Sequence, residues 1–277
     1  MKIRIITAVV LLVILLPVII FSDTVIFTVA ISFLSLVSTI EMMKCIGCEK
    51  QYGFSVPAAV ISALFPIGAR YVQNKTTFLI LAGAILYLFL IYVLFTSVVS
   101  RGKTKISDSA FRFSLVSYVN IGYTAVALLR ELDGGEHLYL LVFVASCVTD
   151  IFAYFTGRLF GRHKLIEEVS PKKTVEGAVG GLVFCSVAFV VYGVLLLECT
   201  QAEQIVSLAI IGLIVSVISQ LGDLVASLVK REFGIKDFGR ILPGHGGFLD
   251  RFDSAIAIAP VLLIAIVAME KISIFIL

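Results

Sequence analysis

The sequence predicts an all-α polytopic integral membrane protein. Of its 277 residues, 60% are hydrophobic and only 15% are charged, whereas soluble domains average about 45–50% apolar and about 25% charged residues. The mean hydropathy is +1.08, and several uninterrupted apolar runs reach the roughly 20 residues that a helix needs to cross a bilayer. A membrane β-barrel would instead show short segments of alternating hydrophobicity.

The apolar runs predict about nine transmembrane helices. Pro57 and Pro66 interrupt the third run, which makes it the weakest. The first run follows a basic start, as in a signal peptide, but its apolar core is longer than the about 7–15 residues of such a peptide and no small-residue cleavage site follows. We therefore expect an uncleaved first span. The predicted spans cover approximately 5–22, 24–43, 54–72, 77–99, 109–130, 136–157, 177–197, 204–229 and 252–275.

The distribution of basic residues predicts the orientation, because cytoplasmic segments of membrane proteins are enriched in lysine and arginine. With the N-terminus in the cytoplasm, 18 of the 22 basic residues fall on the cytoplasmic side and four on the other. An odd number of spans then puts the C-terminus outside. We expect an integral protein of the cell (inner) membrane whose active site faces the cytoplasm.

The polar segments are too short for a soluble domain. We predict a single membrane-embedded unit, in which residues 1–100 are N-terminal transmembrane helices and residues 101–277 form a catalytic region. Its two large polar loops, 158–176 and 230–251, then face the cytoplasm. The net charge of +3 does not indicate a particular binding partner, and we expect no nucleic acid to bind.

The five cysteines form no recognisable framework. Cys45 and Cys48 have C-x-x-C spacing, but no second pair of ligands follows, and zinc needs about four ligands. We therefore expect no metal or redox role for them.

Asp150 is a carboxylate within an apolar run, about two turns before the cytoplasmic end of its span. Tyr154 and Gly157 follow on the same helix face. Ionisable residues inside membranes usually mark functional sites, so we interpret Asp150 as part of a polar cavity. The alternative is a carboxylate paired with a neighbouring arginine for packing.

The next loop carries the segment Ser170–Gly177, which reads SPKKTVEG. Ser170 suits a helix N-cap and Pro171 a first helical position, so we expect the next helix to start here. Lys172 and Lys173 would then oppose the helix dipole. A bound anion would resolve this conflict; the alternative is that they only mark the membrane boundary. We expect the glycines that follow to allow close helix packing.

The span at 204–229 carries a polar stripe. Ser219, Asp223, Ser227 and Arg231 recur at a spacing of four residues, and a neighbouring stripe adds Ser216, Gln220 and Lys230. Such a stripe must face protein or water rather than lipid. The alternative to a site is a network of hydrogen bonds between helices.

The polar stretch Ser227–Asp253 is the most informative part of the chain. Pro243 and three nearby glycines exclude regular helix, and Gly246 and Gly247 could let backbone N–H groups approach a phosphate. Asp250 and Asp253 follow at a spacing of three residues, on one face of the last helix. The simpler explanation of these two carboxylates is a favourable interaction with the helix dipole.

A cation would relieve the repulsion among Asp223, Asp250 and Asp253 if they meet near the cytoplasmic surface. Oxygen-only ligands favour Mg²⁺, which usually takes one or two carboxylates and substrate phosphates. A metal ion, basic residues and a glycine-rich turn together are typical of phosphoryl or nucleotidyl transfer.

At these residues the chain resembles the phosphatidate cytidylyltransferases, or CDP-diacylglycerol synthases. The resemblance rests on the 27 residues SLVKREFGIKDFGRILPGHGGFLDRFD, from Ser227 to Asp253, and on the segment from Asp150 to Gly181. Residues 1–100 match the family only in hydropathy. The resemblance implies conversion of CTP and phosphatidic acid into CDP-diacylglycerol and pyrophosphate, with Mg²⁺ required. It also implies a metal centre at Asp223 and Asp250, which can include a monovalent cation such as K⁺, and a homodimer.

The resemblance and the residue pattern together give the predicted site. The predicted catalytic residues are Asp223, Asp250, Lys230, Arg231, Lys236 and His245. The predicted substrate-binding residues are Asp150, Ser170, Lys172, Lys173, Thr174, Ser227, Gly246, Gly247, Arg251 and Asp253.

Two other functions remain open from the sequence. A CTP-dependent polyprenol or dolichol kinase would use the same nucleotide. An ion-coupled transporter would use intramembrane carboxylates, but it would show inverted repeats and broken helices near mid-membrane, whereas the charges here gather at one face.

Overall fold

The computed structural model describes residues 2–100 and 104–271, and these residues confirm the all-α class. The chain divides into two compact units. Unit 1 takes in the chain up to Leu128 together with Ile235–Arg251, and unit 2 takes in Leu129–Gly234 and the chain from Phe252 onwards. The predicted boundary at residue 100 rests on the family resemblance and stays a prediction.

Unit 1 consists of long apolar helices and the glycine-rich loop. Thr24 and Asn74 cap the second and fourth helices, because each side-chain oxygen accepts an N–H group of the first turn. The third helix is continuous through Pro57 and Pro66. The helices are α1 (Lys2–Ile20), α2 (Val25–Cys45), α3 (Tyr52–Tyr71), α4 (Lys75–Val99) and α5 (Ile106–Arg130), the last of which ends two residues beyond unit 1.

Contacts within unit 1 group its loops by end. At one end, Arg112 donates to the Gln51 side chain at 2.7 Å and Thr7 donates to the Pro243 carbonyl at 2.9 Å. At the other end, Arg70 donates to the carbonyl groups of Ser22 and Asp23. Each of these contacts joins two segments that the charge distribution assigns to the same membrane face.

Unit 2 contains a helical hairpin and a short β-hairpin. The strands pair antiparallel, with Lys164 opposite Thr174 and Ile166 opposite Ser170. The elements are α6 (Gly135–Leu138), α7 (Leu140–Phe160), β1 (Lys164–Ile166), β2 (Ser170–Thr174), α8 (Val175–Leu196), α9 (Ala202–Glu232) and α10 (Leu249–Lys271), which starts with the last residues of unit 1.

Glycines bring α7 and α8 together, as predicted. A Cβ atom on Gly177 would lie 2.6 Å from the Ala153 carbonyl oxygen, and one on Gly181 would lie 3.0 Å from the Thr149 carbonyl oxygen. A side chain at Gly180 would overlap Thr156. The close approach of small residues lets two membrane helices pack backbone to backbone.

Eight spans in the described residues are long and apolar enough to cross a membrane. They correspond to the second to ninth predicted spans. The first predicted span forms α1, whose apolar stretch Val9–Ile20 is shorter, so the count of nine stays a prediction. The predicted end of the last span, at residues 272–275, lies outside the described residues.

Candidate active site

The predicted site residues fall into two groups, one in each unit. Unit 1 holds Lys236, His245, Gly246, Gly247, Asp250 and Arg251, and unit 2 holds Asp150, Ser170, Lys172, Lys173, Thr174, Asp223, Ser227, Lys230, Arg231 and Asp253.

Unit 2 contains a cavity of about 350 Å³. Tyr154 and Gly157 of α7 line it together with Gln220 of α9. The cavity thus uses the α7 face that the spacing from Asp150 predicts. Five of the predicted substrate-binding residues also line it: Asp150, Ser170, Lys172, Lys173 and Thr174.

The structure corrects the expected start of α8. Ser170 begins strand β2 and is not an N-cap. The cap is Thr174, whose Oγ1 accepts the N–H group of Gly177 at 3.1 Å. Pairing in the β-hairpin keeps the residues before Thr174 extended, and the helix can begin only after them. Lys172 and Lys173 therefore lie on a strand and do not oppose the helix dipole in its first turn.

Glu176, in the first turn of α8, ties this helix to the end of α7. It accepts the backbone N–H of Arg162 at 3.0 Å, and its Oε1 lies 2.6 Å from His163 Nδ1. A carboxylate at a helix start also interacts favourably with the dipole. Glu176 is part of the SPKKTVEG motif, but the sequence alone offered no reason to assign it a role.

Lys173, which lines the unit 2 cavity, forms an ion pair with Asp223. The Lys173 Nζ and Asp223 Oδ2 atoms are 2.5 Å apart, and both side chains are partly accessible. A strand residue and a helix residue 50 positions later are thus brought together. A lysine beside a carboxylate can offset phosphate charge without leaving an uncompensated charge in the site.

The polar stripe of α9 faces protein, as predicted. Thr149 Oγ1 donates to Ser216 Oγ at 2.9 Å, and the Gln220 amide donates to the Ala178 carbonyl at 3.2 Å. Ser219 is fully buried. Ser216 and Gln220 therefore form hydrogen bonds between helices, whereas Asp223 pairs with Lys173.

Carboxylates gather in unit 2 around Asp223. Asp150 and Asp253 each interact electrostatically with it, and Lys173 and Lys230 supply the compensating charge. The expected proximity of Asp253 to Asp223 is thus present within this unit. Farther along α9, Ser227 is half-buried and Arg231 is exposed.

The glycine-rich loop of unit 1 surrounds a second cavity, of about 650 Å³. Its lining is mainly polar and basic. Lys236, Arg240 and Arg251 contribute cations, Asp237 contributes one carboxylate, and His245 and Gly246 lie beside them. Such a basin has the charge and size to accept phosphate groups.

Asp250 shapes this loop. Its Oδ2 atom accepts the N–H groups of Phe238 at 2.8 Å and Gly247 at 2.9 Å, and the side chain is buried. Gly246 adopts a φ of 87° and donates its N–H to the Leu242 carbonyl. The N–H groups of Gly246 and Gly247 are therefore engaged within the chain, and the expectation that these glycines let backbone N–H groups approach a phosphate stays a prediction.

Glu41 of α2 is a functional candidate that sequence reasoning missed. It is almost fully buried and accepts the N–H groups of Phe248 at 3.2 Å and Leu249 at 2.8 Å. The signal was present, because Glu41 is a carboxylate near the end of an apolar run, as Asp150 and Asp223 are. Its partners lie more than 200 residues away, so no local pattern reveals them.

Comparison with known proteins identifies the family. A model described as "Cytidylyltransferase family" matches residues 2–269. The chain belongs to this family. The match includes residues 2–100, where the sequence analysis found no family motif, so the similarity of this cytidylyltransferase family member to its family extends to the N-terminal helices.

Curated relatives resemble the chain over nearly its whole length. A protein of Staphylococcus haemolyticus (strain JCSC1435) named phosphatidate cytidylyltransferase is 37% identical over 97% of this chain and 100% of its own. Proteins with the same name from Staphylococcus saprophyticus and Staphylococcus aureus (strain COL) are 37% and 35% identical over 96% of this chain and 99% of their own.

The family resemblance implies Mg²⁺, and the donor chemistry of unit 2 fits this ion. Within residues 2–100 and 104–271, no three His, Cys, Asp or Glu side chains converge closely enough to hold a metal on their own. Mg²⁺ commonly needs only one or two carboxylates, because water and substrate phosphates complete its coordination. Asp223 in unit 2 and Asp250 in unit 1, the two ligands that the resemblance implies, are oxygen donors of this kind, and Asp150 and Asp253 lie close enough to Asp223 to interact with it electrostatically.

Cys45 and Cys48 offer sulfur atoms and not oxygen atoms as possible metal ligands. Both cysteines are free, and Cys48 is fully buried. Burial raises the pKa of the Cys48 thiol to about 11. It is therefore protonated near neutral pH in the absence of a metal, and the expectation that the two cysteines have no metal or redox role stays a prediction.

Proposed function

We propose that this cytidylyltransferase family member transfers the cytidylyl group of CTP to phosphatidic acid, giving CDP-diacylglycerol and pyrophosphate. The observation that carries the proposal is the near-complete alignment with relatives named phosphatidate cytidylyltransferase. The alignments cover both chains almost from end to end, so the similarity is not confined to one segment.

The reaction needs charge compensation more than a base. A phosphate oxygen of phosphatidic acid attacks the α-phosphorus of CTP, and the bond from that phosphorus to the bridging oxygen of the β-phosphate breaks. Pyrophosphate leaves with the electron pair of that bond. The attacking phosphate monoester is already anionic near neutral pH, so the main obstacle is repulsion between two polyanions.

The unit 2 cavity suits the phosphates of a substrate. Lys172 and Lys173 line one wall, and the ion pair with Asp223 holds the Lys173 ammonium at the cavity. Lys230, close enough to Asp253 to interact electrostatically, adds positive charge on α9. In this proposal these ammonium groups lower the repulsion between the reactants, which is strongest where water is excluded.

The unit 1 basin supplies further positive charge. Lys236 and Arg251 line it, and His245 can donate a hydrogen bond to a phosphate oxygen or to departing pyrophosphate. Ser227 and Arg231 keep their proposed roles in substrate binding and charge compensation through their positions in the family motif. Gly246 and Gly247 contribute the shape of the basin.

We also propose that the enzyme uses Mg²⁺, with Asp223 and Asp250 as its protein ligands and a monovalent cation such as K⁺ able to accompany it. When bound, Mg²⁺ would neutralise phosphate charge and stabilise the leaving pyrophosphate. This assignment rests on the family resemblance. The same source supports a homodimer.

A membrane enzyme can leave the acyl chains of its substrate in lipid while the headgroup meets a soluble nucleotide. Eight apolar spans support the membrane location, and the excess of basic residues on one side supports a cytoplasmic active site. CTP would then reach the site from the cytoplasm.

Labelled CTP tests the proposed reaction. Purified protein in detergent, given phosphatidic acid and Mg²⁺, should move label from the α-phosphate of CTP into lipid and release pyrophosphate. A lipid kinase given a polyprenol would instead move label from the γ-phosphate. Transfer of γ-label, or no transfer of α-label to phosphatidic acid, would exclude the proposed function.

A further inference from the structure

The buried carboxylate of Glu41 lies inside the glycine-rich loop of unit 1. Glu41 lies in α2, four residues before the end of the helix at Cys45, and is only 2% exposed. A buried charge is costly unless it is paired or hydrogen-bonded. Here the two carboxylate oxygens accept the N–H groups of Phe248 and Leu249, which are the first donors at the start of α10.

Two glycines of the loop make room for this carboxylate. A Cβ atom at Gly247 would lie 2.6 Å from Glu41 Cδ, and its three nearest neighbours would all be atoms of the Glu41 carboxylate. A Cβ atom at Gly239 would lie 2.7 Å from the same Cδ atom. Neither glycine has a positive φ, so the space that Glu41 fills, and not backbone strain, explains why side chains are excluded.

Glu41 and Asp250 share the donors at the start of α10. Asp250 takes the N–H of Gly247, and Glu41 takes the next two, those of Phe248 and Leu249. The two carboxylates also interact electrostatically, with Lys44 of α2 as a compensating cation. The backbone position of Asp250 is therefore fixed from two directions.

We propose that Glu41 is a positioning residue for the reaction, which holds Asp250 and the basic lining of the unit 1 basin in their working geometry. The proposal rests on the proposed function, because it gives Asp250 its role. Both carboxylate oxygens of Glu41 are needed as well as the shape of the side chain, because each oxygen accepts one of two adjacent N–H groups.

The substitution Glu41→Gln tests the geometry without any ligand. The amide keeps the size of the side chain but has one acceptor oxygen, so one N–H group loses its partner. Hydrogen bonds to charged groups contribute enough that amide exchange over residues 244–251 should become about 10- to 100-fold faster. Glu49→Gln, at a carboxylate eight residues later with a more accessible side chain, should leave this exchange unchanged.

The Mg²⁺ dependence of turnover distinguishes a positioning role of Glu41 from a simple loss of protein stability. With CTP and phosphatidic acid, Glu41→Gln should raise the Mg²⁺ concentration for half-maximal turnover about tenfold, as loss of groups that orient metal ligands does. A protein that is merely less stable would lose active fraction but keep the wild-type Mg²⁺ dependence.

A double substitution keeps the test valid if Glu41→Gln folds poorly. Gly247→Ala should speed exchange strongly in the wild-type background but much less together with Glu41→Ala, because the methyl group then has room. Wild-type exchange in Glu41→Gln, additive effects in the double variant, or wild-type Mg²⁺ dependence would each overturn the proposal. If the wild-type protein has no transferase activity, the proposed function fails, and the exchange data still decide whether Glu41 holds the loop.

Discussion

Asp250 and Glu41 show how single carboxylates determine the shape of the glycine-rich loop. Each accepts two backbone N–H groups, and all four donors lie between Phe238 and Leu249. A charged acceptor strengthens such bonds. The loop therefore has a defined shape although it contains little regular secondary structure.

We expect Asp250→Asn to abolish turnover at every Mg²⁺ concentration, with a fall of at least about 1,000-fold, since a metal centre contributes several kcal/mol to phosphoryl chemistry. The asparagine oxygen can still accept the N–H groups of Phe238 and Gly247, so the protein should fold and insert. Pyrophosphate release across a Mg²⁺ series measures the effect.

Asp133→Asn, which changes an exposed carboxylate outside the predicted site, is the matched control and should retain activity. Near-normal turnover in Asp250→Asn would refute the metal assignment of this residue.

At this scale, sequence reasoning finds residues whose signal is local. Asp150 and Asp223 stand out as carboxylates in apolar runs, and Lys173 stands out in its motif. The pairing of Lys173 with Asp223 and the role of Glu41 could not be predicted, because each depends on residues that are distant in sequence. Helix and loop geometry alone brings these atoms together.

The elements of unit 2 place the site through close packing and a short hairpin. The glycines of α8 bring its backbone against α7, and the hairpin ahead of α8 presents Lys172 and Lys173 to the cavity. Small changes in the spacing of α7 and α8 should therefore change both the stability of the protein and the shape of the cavity.

We expect Gly177→Ala to lower the free energy of unfolding by about 1–3 kcal/mol, the usual range for overpacking. Its methyl group would lie 2.6 Å from the Ala153 carbonyl oxygen. Thermal unfolding in detergent, followed by circular dichroism, measures the change.

Gly83→Ala is the matched control, because no atom lies within 4 Å of a Cβ at this helix position. Alanine is favoured over glycine in helices by about 1 kcal/mol, so this variant should be as stable as the wild type or slightly more stable. Equal destabilisation by both substitutions would contradict the packing explanation.

Helices were predictable because long apolar runs leave few alternatives in a membrane. The hairpin was not, because Ser170–Pro171 is a good helix start by local rules. A strand of five residues needs a partner to form, and its partner β1 has only three, too few to give a sequence signal. Thr174, four residues after Ser170, is an equally suitable N-cap, and it is the residue at which strand β2 ends and α8 can begin.

At the scale of the whole molecule, the described residues combine a helical framework with a cavity in unit 2 that is lined by the SPKKT segment and a basin in unit 1 that is lined by the glycine-rich loop. The family match runs through residues 2–269, although the sequence motifs cover only the second half. Glu41 gives a physical reason for this, because an N-terminal helix supplies a carboxylate to the motif loop.

The predicted orientation can be tested by labelling from each side of the membrane. In a chain whose five cysteines are replaced by serine, Glu168→Cys should react with an impermeant maleimide in inside-out vesicles, and Thr200→Cys in right-side-out vesicles. The two positions flank α8 and are exposed.

Detergent-permeabilised vesicles should label both variants and serve as the control for reactivity. The reverse pattern would place the polar loops outside and would rule out access of cytoplasmic CTP to the site.

The contact of Glu41 with Phe248 spans 207 residues, and this separation has a consequence for synthesis. At about 5–20 residues per second, the ribosome needs about 10–40 s after making α2 before the partners of its carboxylate exist. During that interval the Glu41 carboxylate has no access to the two N–H groups that it accepts in the folded protein. Only when Phe248 and Leu249 have been synthesised can the Glu41 carboxylate form its hydrogen bonds. An N-terminal helix therefore reaches its final set of contacts only when the glycine-rich loop has been made.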